Sequence, residues 1–137
     1  MRRMQIVVFA AAMTLLQVAH ADFLVILIHP GAARAVLLDP AVGKYLHTDL
    51  PERHPLLLSN RLLGVKKADL DLPFAVEILK VGDRREGRAF QFTRSESGPG
   101  NTLKLSFAFA PEGIHGEAAL RHDNGRWSIT DIKVSED

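Results

Sequence analysis

The sequence contains no cysteine, and only one tryptophan and one tyrosine. Without cysteine there is no disulfide, no zinc–thiolate or iron–sulfur framework, and no thiol nucleophile. An excess of one charge is missing too. Lys and Arg number 17 against 16 Asp and Glu, a formal net charge of +1. So even a balance excludes the phosphate-neutralising surface that nucleic acid binding needs. No Gly-x-Ser-x-Gly elbow, phosphate-cradling glycine loop or dinucleotide glycine pattern occurs. Internal repeats and low-complexity tracts are also missing. What is plentiful is apolar: 47% of 137 residues. That is too hydrophobic for a disordered chain. The length suits one domain, because single cores stop growing only beyond roughly 250 residues.

The N-terminus has the pattern of an export signal. Met1-Arg2-Arg3-Met4 is a short basic stretch, residues 6–16 are apolar, and Ala19-His20-Ala21 is a small-x-small cleavage pattern. Cleavage is expected after Ala21, which places the mature chain at 22–137 and the protein in the periplasm or outside the cell. The rival reading is an uncleaved anchor running on through the apolar run at 23–28. It meets Gln17, His20 and Asp22, and a charge within a span costs about 2.5–3.5 kcal/mol. No stable membrane insertion is therefore expected after cleavage, and a lipid anchor on cysteine is excluded. Met1, Met4 and Met13 would leave with the signal, and so would Arg2 and Arg3. The mature domain would hold no sulfur and would rest on burial alone.

Within 22–137 the texture changes once. Residues 30–72 are rich in Leu, Ala and Pro and predict short helices. Residues 73–134 alternate apolar and polar and predict strands. A helical half followed by a strand half reads as α+β. Asp39-Pro40 is an N-cap with proline at the first helical position, followed by Val42, Tyr45 and Leu46 on one face. Pro51 stops that helix. Pro55 is expected to open another through Leu56, Leu57 and Leu63, with Gly64 beyond its end. Lys66, Lys67, Asp69 and Asp71 suggest a solvated connector.

Strands are expected at 74–81, at 88–94 with Phe90 and Phe92 on one face, at 103–109, at 114–122 and at 126–134, with a loop at 95–101. Asn124-Gly125 predicts a two-residue type I′ hairpin, which requires positive φ at both positions. The register then pairs Asp123 with Arg126, His122 with Trp127 and Leu120 with Ile129. The apolar phase shifts by one residue before Ile132 and Val134, as a bulge would produce. The expected architecture is short N-terminal helices packed on a curved antiparallel meander of about five strands.

The closing segment carries Gly125, Trp127, Ile129, Asp131 and Ile132 in the spacing Gly-x-Trp-x-Ile-x-Asp-Ile. Together with a signal segment and leading helices, it resembles exported domains of the cystatin-like, nuclear-transport-factor-two-like fold. The long first helix usual in that fold is broken here by Pro40, Pro51 and Pro55. The resemblance implies a cone-shaped pocket with His122 and Trp127 at its mouth. There His122 would serve as a general base that Asp131 orients. The plainer reading makes His122 and Trp127 a packing stack beside a bulge.

Other chemistry-bearing residues have bland readings. His115 and Glu117 share a strand face but lack a third ligand, and no His pair has metal-ligand spacing, so neither metal nor cofactor is expected. His29, His47 and His54 fall among prolines as loop residues. Arg84, Arg85 and Arg88 with Glu86 form a basic turn, read as a charge-guarded hairpin edge with a weak anion site as the alternative. The sequence favours a non-enzymatic exported domain that binds a small ligand or an envelope protein through a pocket or sheet face. One alternative is a small acid–base enzyme of the isomerase, dehydratase or cyclase type, using His122 and Asp131. Another is a secreted inhibitor or immunity-type protein presenting the loop at 95–101.

Overall fold

A computed structural model describes residues 27–137. The expected export segment at 1–21, and nearly all of the apolar run at 23–28, lie outside the described residues.

Helix α1 (Pro30–Leu38) starts where His29 accepts a hydrogen bond from the Gly31 amide at its Nδ1, 2.9 Å away. Pro30 sits in the first turn, where a missing N–H costs nothing. Asp39 closes α1 and caps the next helix. Its Oδ1 accepts from the Ala41 amide at 2.9 Å, with Pro40 in the first turn of α2 (Pro40–Leu46). Helix α2 ends on His47 in the left-handed conformation at φ 49°. After a 3-10 turn at Pro51–Arg53 and a cis His54–Pro55 peptide, the chain enters β1 (Leu56–Ser59). One helical turn, α3 (Lys67–Leu70), crosses over to β2 (Val76–Leu79). A second 3-10 turn at Glu86–Arg88 leads to β3 (Phe90–Ser97), and β4 (Thr102–Phe109), β5 (Ile114–Asp123) and β6 (Arg126–Glu136) follow.

The six strands form one curved, open, mostly antiparallel sheet in the order β2-β1-β3-β4-β5-β6. With its three helices the described chain is α+β. Strands β3 to β6 are an antiparallel meander, whereas β1 runs parallel to both neighbours. The core lies between the inner face of the sheet and α1 with α2. Phe90 is its centre, stacked on Phe107 at 5.5 Å and edge-on to Phe92 at 5.3 Å between ring centroids. Leu105, Ile114, Ala118 and Leu120 extend it along the meander, and Ala32, Ala33, Val36 and Leu37 of α1 close it from above. Arg34 Nε donates to the Asp71 carbonyl at 3.0 Å and ties α1 to the end of α3.

The last hairpin forms as its residues predict. Asn124 and Gly125 have φ of 52° and 75°. The pairs Asp123–Arg126, His122–Trp127 and Leu120–Ile129 all occur, and the register shifts beyond Leu120, where Ala119 pairs with Asp131. Thr130 is the extra residue, and its hydroxyl donates to the Ala119 carbonyl at 3.1 Å.

Three expectations need correction. The sheet has six strands, not five, because residues 56–59 form β1 rather than the helix expected after Pro55. Leu56 and Leu58 are buried against β2 and β3, so a run that sequence cannot assign was settled by two neighbouring strands. The helical half at 30–72 therefore holds a strand, and α3 lies between β1 and β2 instead of leading the sheet. A parallel pair requires such a crossover. Finally, the loop expected at 95–101 is shorter, because β3 runs on to Ser97.

Candidate functional site

The β1–β2 pair brings three distant segments together and leaves a cleft of about 410 Å³ between them. Its apolar lining is Leu46, Leu56 and Phe109, all buried, with Leu57, Pro55 and Pro111. Its polar lining consists of Glu52, Arg53 and His54 before β1, Glu77 on β2, and Arg85 and Arg88 from the β2–β3 connection.

The charges are mostly matched in place. Arg85 forks onto Glu77, donating from Nη1 at 3.2 Å and from Nη2 at 2.8 Å. It also donates to Asp83 through Nε at 3.2 Å and Nη2 at 3.1 Å. These two carboxylates raise the Arg85 pKa further above its ordinary value, and Arg85 in turn holds Asp83 below its own. Arg53 donates from Nη2 to Glu112, while His47 Nε2 lies 3.3 Å from the other carboxylate oxygen. Burial works against ionisation of Glu112, but Arg53 and His47 together outweigh it and keep its pKa low. The Arg53 Nη1 is buried with no hydrogen-bond partner. Arg88 takes part in none of the ion pairs among the described residues, and neither does Glu52.

The segment that carries Arg85 and Arg88 is anchored by Glu86, which is 8% exposed. Its carboxylate accepts from Ser59 Oγ at 2.6 Å, from Arg61 Nε and Nη2 at 3.1 and 2.9 Å, and from the Gly82 amide at 3.1 Å. The Ser59 hydrogen bond first, then Arg61 and Gly82, bring its pKa from 4.5 down to about 2. The Gln91 side chain donates to the Glu86 carbonyl at 2.7 Å. Glu86 is thus a structural anchor, and it explains why the basic turn is held beside β1.

The residues singled out from the closing hairpin lie at the other side of the sheet. His122 and Trp127 are stacked, with ring centroids 4.7 Å apart and planes at 26°. The His29 ring is also near the indole, 6.2 Å away between centroids, and Trp127 lies beside the start of α1. Its Nε1 is buried without a hydrogen-bond partner. Asp131 does not join them. Its cross-strand partner is Ala119, while His122, Leu120, Ile129 and Trp127 alternate onto the opposite face. The Thr130 bulge decides this, because one extra residue moves the following side chain to the other side. The general-base arrangement of His122 with Asp131 therefore lacks the proximity it requires. His115 is exposed and bonds Asp137, and Glu117 lies along the same outer face. Among the described residues no group of three or more His, Cys, Asp or Glu is placed to hold a metal.

Trp127 is half-buried rather than central, which sets the scale of its contribution. Trp127→Ala is expected to lower stability by about 2 kcal/mol, from lost aromatic burial, as measured by urea unfolding. The emission of this sole tryptophan should be blue-shifted relative to the unfolded chain.

Of the cleft residues, sequence reading flagged Arg85 and Arg88 as an anion-site alternative. It missed Arg53, His54 and Leu57. The only local signal was the bracketing of Glu52, Arg53 and His54 by Pro51 and Pro55, which fixes a short segment between an element end and a strand start. No family model, no curated protein and no solved structure matches this chain.

Proposed function

We propose that the protein is an exported, non-enzymatic domain that binds a ligand or an envelope protein, with the cleft beside β1 as its binding site. The cleft itself carries this reading. It has the volume of a small-ligand pocket, about 300–1,000 Å³, and its lining mixes apolar with charged side chains. The export half rests on the basic, apolar and small-residue pattern of residues 1–21. The element order, with helices leading into a curved sheet whose last hairpin packs under α1, supports the likeness to cystatin-like, nuclear-transport-factor-two-like domains.

One experiment tests both halves. A photo-crosslinking residue is placed at Leu57, or at Ser128 as a control far from the cleft, and the protein is recovered from the cell envelope. Intact mass should begin at Asp22. An adduct should form at position 57 and not at position 128. A chain that retains residue 1 would refute cleavage after Ala21, one confined to the cytoplasmic fraction would refute export, and equal adducts at both positions would refute the cleft.

A further inference from the structure

We propose that the cleft holds a single-chain anionic amphiphile, an acidic head group on an unbranched apolar chain, with Arg88 as the cation that receives the head group. This deepens the reading of the cleft as a binding site and rests on it. Three observations carry it.

The first is the make-up of the lining. Leu46, Leu56, Leu57 and Phe109 line the cleft together with charged side chains. A ligand that suits this lining combines an apolar part with a polar group.

The second is the state of the three arginines. Arg85 is saturated by Glu77 and Asp83, and Arg53 is already drawn to Glu112. An incoming anion would compete poorly for Arg85, and for Arg53 only the unpartnered Nη1 is left to donate. Arg88 is exposed and outside every ion pair of the described residues, and Arg84 next along the turn is also exposed and outside them. A guanidinium with no internal carboxylate is the one that can grip an external carboxylate or phosphate with two parallel hydrogen bonds.

The third is the rigidity of the mount. Glu86 draws four hydrogen bonds into the same turn, so Arg88 is presented from a fixed backbone rather than a loose loop. A preorganised cation loses less on binding than a mobile one. Glu52 is the opposing feature, a lining carboxylate outside the ion pairs. It would repel an acidic head group, and it makes the proposal sharper to test.

The probes are decanoate, decyl phosphate, decyltrimethylammonium, decanol and inorganic phosphate. Each is titrated below its micelle concentration into the purified protein and followed by calorimetry. Decanoate and decyl phosphate should both bind, and a preference between them identifies a carboxylate or a phosphate source. Decanol and decyltrimethylammonium should bind at least tenfold more weakly, and inorganic phosphate should not register. Going from octanoate to decanoate, each buried methylene should tighten binding by about fourfold. Arg88→Glu should weaken decanoate at least tenfold with an unchanged melting temperature, and Glu52→Gln should strengthen it.

Equal binding of the cationic probe would overturn the proposal. So would indifference to Arg88→Glu, or to chain length, or failure of both anions to bind. If neither anion binds while the crosslink at position 57 still forms, the ligand class is wrong and the binding site stands. If both fail, the site falls too.

Discussion

Gly116→Ala should destabilise the protein by about 2–3 kcal/mol, the upper part of the usual range for overpacking a filled core. That corresponds to a melting temperature lower by roughly 10 °C. Gly116 lies on the inner face of β5, opposite Phe107 of β4 and Val134 of β6. A Cβ at this position would stand 2.4 Å from the Lys133 carbonyl oxygen and 2.6 Å from Cζ of Phe107. Neither neighbour yields easily. The Phe107 ring is 1% exposed and stacked on Phe90. The carbonyl belongs to the backbone of β6, the longest strand. The glycine therefore leaves room for the ring and for the neighbouring strand at once, and the aromatic covers the gap in the strand. A double variant separates the two contacts. Phe107→Leu removes the ring edge but leaves the carbonyl in place, so adding Gly116→Ala to Phe107→Leu should still cost stability. If the pair is as stable as Phe107→Leu alone, the ring was the whole obstacle and the strand spacing is not.

Loss of the Glu86 carboxylate should have the second large effect, and pH gives it a signature. Its folded pKa is depressed to about 2 from an ordinary 4.5. A carboxylate depressed by folding adds stability that is fully present above pH 4.5 and disappears as pH falls toward 2, because the unfolded chain takes up the proton first. The wild-type melting temperature should fall across that window. Glu86→Gln should lower it at neutral pH by roughly 5–10 °C and make it flatter between pH 4.5 and 2. Glu86→Ala should cost more. It leaves the Ser59 hydroxyl, 1% exposed as a residue, and the Gly82 amide without their acceptor. Arg61 matters less, since its side chain is half exposed and water can replace the carboxylate. An acid profile identical to wild type in Glu86→Gln would show that other carboxylates set the low-pH transition.

The two residues matter for different reasons, and neither role was visible in advance. Gly116 falls inside a strand that alternation predicts, yet nothing local says that an aromatic ring and a carbonyl converge on it. Glu86 reads as one charge in a basic turn. Its burial depends on Ser59 and Arg61, which the chain places more than twenty residues earlier.

The closing hairpin was written in the sequence down to its register. Asn124-Gly125 permits one turn type, and the alternation of Leu120, His122, Trp127 and Ile129 permits one pairing. The helix start at Pro40 was legible for the same reason, since a cap and a proline act within four residues. The run at 56–59 was not. Four residues of Leu-Leu-Leu-Ser have no period that separates helix from strand, and β2 and β3 supplied the decision through parallel pairing. That pairing also made the cleft, by setting Arg53 and His54 beside Arg85 and Arg88. Local rules act over a few residues, where backbone sterics and one side chain suffice. The site is a matter of strand order, and strand order is set by contacts between segments that meet only when the core closes.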